Sequence, residues 1–457
     1  MPEKLHLPLS RGFRRHPTLV ATLAAIVTIA VITTILWLLM SDGPQAAGAP
    51  PLATPAPSRS LLPQLASGDW PATVPSSAPA TCRQQQLQGA DGGWVVSYLN
   101  DNSKDTDLVA QEAHKFSLMD FYWSSLDAPT DLVQTDSFDP TLGTELATAA
   151  ASGAGPCGLR FVTLADNDPN LSHIADVRML AEILTNPRVR QEHVLAVARW
   201  MASQPLATGL TIDYEFGLPK TLSDLQIDEQ VAGWHGLSLD DAVNRLSGDY
   251  TELIRELAAA MHKQHRLLRL AALVRRSDDV DAASTDVAPY VLDYGTLARY
   301  VDQIVLLAYD FAYQAGNPGP IAPFPDVAQV LGYVRSYNVP LGKLAVAVPL
   351  YAYDWTANGK GGIALGANGQ PITATSLTPT QVAAKSKNWR KVTTENGETE
   401  YTYTQGGQKH IVWSTSSALG TEVAWLRRTY PHVGIDVWMI GNADPSGSAL
   451  AVQVLGG

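Results

Sequence analysis

The sequence predicts an α/β protein built on a parallel (β/α)8 TIM barrel. Three observations carry that prediction. Eight short apolar runs recur between residues 94 and 440, amphipathic helical segments separate most of them, and no Gly-rich phosphate turn follows the first run. Alternating strand and helix patterns mean a parallel sheet with helices packed outside it. An open doubly wound sheet is the alternative, and it would be expected to carry that glycine-rich turn.

The runs are rich in β-branched and aromatic residues, which suit a pleated, buried surface. In order they read WVVSYL (94–99), LMDFYW (118–123), LRFVTLA (159–165), GLTIDYE (209–215), LRLAALV (268–274), QIVLLAY (303–309), KLAVAVPLY (343–351) and GIDVWMI (434–440). The segments VRQEHVLAVARWMAS (189–203) and YTELIRELAAAMHKQH (250–265) show helical spacing of their apolar positions. The gap between the seventh and eighth strands, residues 356–420, is too long for a simple connection. Within it TEYTYTQGGQKHIVW reads as a hairpin turning at Gly406 and Gly407, so a small β-rich insertion is expected beside the barrel mouth.

Three regions precede or surround this pattern. Residues 1–17 form a basic segment expected to stay cytoplasmic. Residues 18–40 (TLVATLAAIVTIAVITTILWLLM) hold 23 residues without a charge, a proline or a glycine, and at about 1.5 Å per residue they span a bilayer core. Lys4, Arg11, Arg14 and Arg15 precede the run and the next basic residue is Arg59. That asymmetry predicts a single-pass cell-membrane anchor with everything after Met40 outside the cell. A cleaved signal peptide is the competing reading, since AGA at 47–49 has the small residues of a cleavage site. Residues 41–81 contain nine prolines and three charges and read as a disordered Pro/Ala-rich linker. Residues 82–457 form the predicted exported domain, which holds the strand and helix pattern.

Residues 1–17 carry +3 and the linker −1, which leaves −14 on residues 82–457. An acidic exported domain argues against nucleic acid and anionic lipid surfaces as its ligands. The two cysteines, Cys82 and Cys157, are too few for a disulfide scaffold and lack zinc spacing. They either pair or remain as buried thiols.

In a barrel, inward residues at the C-terminal strand ends line the active site. Asp213 and Glu215 lie two apart at the end of the fourth run, so a strand there points both carboxylates into one space. The sixth run ends in Tyr309 and Asp310, the seventh in Tyr351, and the eighth carries Trp438. Carboxylates beside aromatic planes suit the stacking of sugar rings and the protonation of a glycosidic oxygen. For Asp213 and Glu215 the structural alternative is an ion pair with an arginine of the barrel. His262 and His265 could be a metal pair, but their place between a helix and the fifth strand puts them at the barrel bottom as a solvated face.

Residues 90–445 resemble glycoside hydrolase family 18, and most nearly its bacterial spore-cortex-lytic N-acetylglucosaminidases. The resemblance rests on Gly209, Asp213 and Glu215 of the strand-four signature, on YDFAYQAGNPGPIAPF after the sixth strand, on PLYAYDW at 349–355 and on the ending DVWMIGNADP. Thr208 and Thr211 stand where the signature has Asp, and Leu307 where Met is usual. The resemblance implies Glu215 as acid and base, Asp213 and Tyr309 as its catalytic partners, and Asp310, Tyr351, Trp438 and Thr211 as substrate-binding residues. It implies retaining, substrate-assisted hydrolysis of N-acetylglucosamine-containing glycans, peptidoglycan or chitin-like, with no metal or cofactor. A sugar-binding protein with lapsed catalysis on the same barrel is the alternative.

Overall fold

The computed structural model describes residues 87, 90, 92–95, 116–128, 130–134, 158–166, 173–215, 239–277, 291–393 and 397–440. The expected cytoplasmic segment, membrane helix and linker, with Cys82 and Cys157, lie outside the described residues. Among those described, no helix is long and apolar enough to cross a membrane.

The strands are β1 (Gly92–Val95), β2 (Leu118–Ala128), β3 (Asp131–Gln134), β4 (Leu159–Ala165), β5 (Gly209–Asp213), β6 (Leu267–Ala272), β7 (Gln303–Leu306), β8 (Leu344–Pro349), β9 (Ala352–Ala357), β10 (Thr375–Leu377), β11 (Arg390–Thr393), β12 (Thr399–Gln405), β13 (Gln408–Ser414) and β14 (Gly434–Ile440). The helices are α1 (His173–Thr185), α2 (Pro187–Ala202), α3 (Leu239–Lys263), α4 (Tyr294–Leu297), α5 (Phe324–Ser336), α6 (Pro379–Lys385) and α7 (Leu419–Thr429). Strands β2, β4, β5, β6, β7, β8 and β14 pair in that order, all parallel. Strand β1 pairs in parallel with both β14 and β2, which closes the ring. Each of the eight apolar runs supplies one barrel strand, and β3 is an antiparallel addition on the far end of β2.

Side-chain alternation divides the strands into two faces. Outward residues such as Phe121, Leu210, Ile212, Leu268, Ile304, Val346 and Ile435 join one core with the helices. Inward residues stack in layers. At the bottom, Leu87, Leu118, Leu159, Phe161 and Leu267 form an apolar plug. A Cβ on Gly209 would fall 2.3 Å from the Phe161 ring, so only glycine lets β5 pass the plug. At the top, Trp94, Ala165, Ala271, Val305, Leu307, Ala345 and Ala347 pack beneath Tyr309 and Trp438.

Between these layers lies a polar one. Arg269 on β6 is fully buried, donating from Nη1 to Asp120 Oδ2 at 2.8 Å, from Nε to Gln303 Oε1 at 2.8 Å and from Nη2 to Asp436. Asp120 also accepts the hydroxyls of Thr163 (2.7 Å) and Thr211 (2.5 Å). Burial raises the proton affinity of Asp120, while Arg269 and the two hydroxyls pull it down. The network ties six strands together at one height.

The insertion begins at Ala352, four residues before the expected 356, because β9 follows β8 almost without a turn. Strands β10, β9, β13, β12 and β11 form one antiparallel sheet in that order. The expected hairpin is β12–β13, with Gly406 and Gly407 at φ of 59° and 82° in its turn. His262 lies at the barrel bottom, where its Nε2 meets Asp302 Oδ2 at 2.9 Å.

Replacing Arg269 by Met leaves buried carboxylates without their cation. The expected loss is about 3–5 kcal/mol in urea unfolding at neutral pH. Part of it should return in acid, because Asp120 then becomes neutral, and a pH series of unfolding midpoints checks both expectations.

Candidate active site

Strand β5 ends at Asp213, and Glu215 follows in the next turn of chain. Thr211 and Asp213 face the barrel interior, while Tyr214 faces the helix layer, where its hydroxyl meets His193 Nε2 at 2.9 Å. Glu215 is held by its backbone: its N–H donates to Asp166 Oδ1 at 3.0 Å. Asp166 follows the last residue of β4 and is 1% exposed. A third carboxylate therefore stands beside the expected two.

Asp213 is 3% exposed and bonds to the Glu215 side chain. Burial drives its pKa well above the carboxylate range, and the charges of Glu215, Asp166 and Asp120 push the same way. Arg269, the arginine of the barrel, is engaged one layer lower by Asp120 and Asp436. Two carboxyl groups this close and this buried do not both ionise readily, so the pair favours keeping a proton.

The chain leaves β7 at Leu306 and reaches Asp310 at φ 57°, a left-handed conformation. Tyr309 stacks on Trp438 at 6.5 Å between centroids with planes 16° apart, and meets the Tyr351 ring edge-on at 6.3 Å. Burial and the charges of Glu215, Asp213 and Asp310 raise the pKa of Tyr309, so its hydroxyl stays a donor. Asp310 accepts the hydroxyls of Tyr351 and, at 3.0 Å, Tyr353. Trp94 packs edge-on against Trp438 at 5.2 Å from beneath. The Trp438–Met439 peptide bond is cis.

Six of the seven expected residues therefore gather at one barrel mouth. Thr211 sits lower: it is fully buried with its hydroxyl on Asp120. That contact explains threonine at this position, since an aspartate there would crowd a second carboxylate against Asp120. Thr208 lies at the strand base, where its Oγ1 accepts the Arg160 N–H at 2.8 Å and donates to the Arg160 carbonyl at 3.0 Å. Asp166 and Tyr353 are members the sequence reading missed. Asp166 follows LRFVTLA directly and could have been found as a strand-end acid, and Tyr353 stands two residues after Tyr351 on the same face.

Among the described residues no cluster of His, Cys, Asp and Glu could hold a metal ion.

A family model, glycosyl hydrolases family 18, matches residues 178–443, more than half of the chain. The cortical fragment-lytic enzyme of Bacillus anthracis is 28% identical over 164 residues, covering 35% of this chain and 36% of that protein. The alignments span between 28% and 59% of the length of the curated relatives. The Bacillus cereus spore cortex-lytic enzyme SleL superposes with a TM-score of 0.59 at 14% identity, covering 80% of this chain and 75% of that one. A Cycas revoluta chitinase solved with (GlcNAc)3 gives the same TM-score and identity, covering 80% and 98%. At such identities the structural likeness speaks for the fold.

Asp213→Asn should separate stability from function. The raised pKa means that wild type loses stability as pH climbs from the ordinary carboxylate range through the folded value. The Asn variant carries no such group, so its unfolding midpoint should equal or exceed that of wild type at neutral pH, with the gap widening as pH rises. A chemical-denaturation series across pH reads the result.

Proposed function

This chain belongs to glycosyl hydrolases family 18, and we propose that it hydrolyses N-acetylglucosamine-containing glycans, peptidoglycan or chitin-like, with retention and with help from the substrate. The observation that carries this reading is the Asp213–Glu215 carboxyl pair at the β5 mouth, set beside the stacked Tyr309 and Trp438 rings. Glu215 protonates the leaving oxygen, drawing on the proton that the carboxyl pair favours keeping. The 2-acetamido carbonyl of the sugar attacks the anomeric carbon as the glycosidic bond breaks, giving an oxazolinium ion. Asp213 orients the acetamido nitrogen, Tyr309 donates to its oxygen and Trp438 floors the ring. Glu215 then takes a proton from the water that opens the ion, restoring the acid.

We propose also that the enzyme is held outside the cell by residues 18–40. Their uncharged length and the basic residues ahead of them support this reading.

Three measurements test the proposals. Glu215→Gln should lower turnover of N-acetylglucosamine oligomers or purified peptidoglycan by about 10²- to 10⁴-fold, and an activated aryl leaving group should restore part of the rate. Substrates with a free 2-amine or a 2-hydroxyl should bind yet turn over far more slowly. Equal turnover with and without the acetamido group would exclude substrate assistance, and glycan binding without turnover would favour the sugar-binding alternative. For the anchor, protease added to intact cells should release a soluble domain by cutting within residues 41–81. A domain protected inside the cell would defeat that reading, and one already free in the medium would favour a cleaved signal peptide.

A further inference from the structure

Glu398 lies 1% exposed immediately before β12 of the insertion, far along the chain from any expected site residue. Its Oε2 accepts the Ile321 N–H at 2.8 Å and its Oε1 the Ala322 N–H at 2.7 Å. One buried carboxylate thus holds two consecutive amides of the segment between β7 and α5. That segment carries Tyr309 and Asp310, and the Ile321 carbonyl accepts the N–H of Phe311 at 3.0 Å, the residue next to Asp310. The anchored amides and the two site residues therefore share one closed base.

We propose that Glu398 is a positioning residue: from the insertion it pins the far end of the 309–323 segment, so that Tyr309 and Asp310 keep their places over the Asp213–Glu215 pair. The inference rests on the glycosidase reading above for its catalytic meaning. The near end of the segment is pinned by the same insertion through Tyr353 on Asp310, and by Tyr351 just ahead of it. Between the ends, the Ala374 N–H bonds the Gln314 carbonyl at 2.9 Å and the Ile363 N–H bonds Asn317 Oδ1 at 3.1 Å. Glu398 itself is fixed by its neighbours. Gly397, at φ 79°, accepts Ser417 Oγ at 3.1 Å, and the Thr399 hydroxyl meets Ser417 Oγ at 2.6 Å.

A carboxylate buried against backbone amides is a costly way to join two loops, since neutral groups would do so without desolvating a charge. What the charge adds is grip: both oxygens accept charge-assisted bonds at fixed angles. Burial pushes the Glu398 pKa up to about 7 although both amides pull it down. The titratable group facing it from α7 is Glu422, 2% exposed, whose own pKa burial and then the Glu398 charge drive well above the ordinary range. From α5, Phe324 packs against Gly397 while Asp326 pairs with Arg276. Below about pH 7 the proton taken up by Glu398 removes one of its two accepting oxygens.

Glu398→Gln tests this, because its amide group can accept from one of the two N–H groups only. Hydrogen exchange followed by mass spectrometry on the full chain needs no substrate. Peptides covering 311–323 should lose about tenfold or more of their protection in the variant. In wild type their protection, corrected for intrinsic exchange, should fall as pH drops through 7. With N-acetylglucosamine oligomers kcat should fall by about ten- to a hundredfold with little change in KM, and the step in the pH–rate profile near 7 should flatten. Glu422→Gln, which places a neutral group of the same shape there, should leave exchange and profile as in wild type. Unchanged protection of 311–323 in Glu398→Gln overturns the proposal, as does lost protection with wild-type kcat and pH profile. If Glu398→Gln does not fold, the wild-type exchange series decides: protection that ignores pH between 6 and 8 overturns the anchor. A wild type that turns over no glycan defeats the glycosidase reading instead, and the exchange data still judge the anchor.

Discussion

The structure depends on one buried cation. Arg269 sits at the middle height of the barrel, and its donors reach Asp120 on β2, Gln303 on β7 and Asp436 on β14. Hydroxyls of Thr163 and Thr211 extend the network to β4 and β5. A buried arginine is tolerable when its donors meet carboxylates and amides, and each partner here fixes the height of a strand. The same pairing spends the arginine below the mouth. One layer up, every named influence on Asp213 raises its pKa, whereas Asp120 is restrained by Arg269. The chemistry of the mouth thus follows from where the cation is held: a carboxyl pair close to each other and away from positive charge keeps a proton to give.

The insertion completes the site from the other side. Strand β9 starts directly after β8, so Tyr351 and Tyr353 arrive on one side of the mouth with Asp310 between their hydroxyls. Behind them Tyr353, Trp355, Ile321 and Ala374 form an apolar cluster that Tyr309 and Tyr351 join. The opposite face of the same sheet packs Ala352, Val412 and Leu377 on Val382 of α6. A sheet with one face buried on its own helix and the other turned to the barrel is a rigid wall. The segment after β7 is held against that wall as well as against the barrel, where Tyr309 stacks on Trp438.

Much of the site was legible because catalytic residues of a barrel sit where strands end. GLTIDYE and QIVLLAY announce their strands by composition, and the polar residues at their ends stand out. The interior network was equally visible as anomaly: Asp120, Arg269 and Asp436 interrupt LMDFYW, LRLAALV and GIDVWMI, and each could have been marked as a charge needing a buried partner. Which charge pairs with which could not be read, because Arg269 and Asp436 are separated by 167 residues. Thr211 shows the same limit. Alternation puts it on the inward face with Asp213, but only the height of Asp120 decides that it belongs to the network rather than to the cleft.

The sequence by itself determined the eight strands, the β12–β13 hairpin, the face on which Asp213 lies and the identity of most residues at the mouth. These follow from local rules: a period of two along a strand, glycine at left-handed turns, and apolar runs long enough to cross a barrel. Tertiary structure decided the rest. The pairing of β1 with β14 closes the ring, Arg269 is claimed by Asp120 and Asp436, Asp166 comes to support Glu215, and Glu398 reaches Ile321 and Ala322 across 76 residues or more. Each of these joins groups distant in the chain, and their energies depend on burial and neighbouring charge, which exist only once the barrel has brought the strands together.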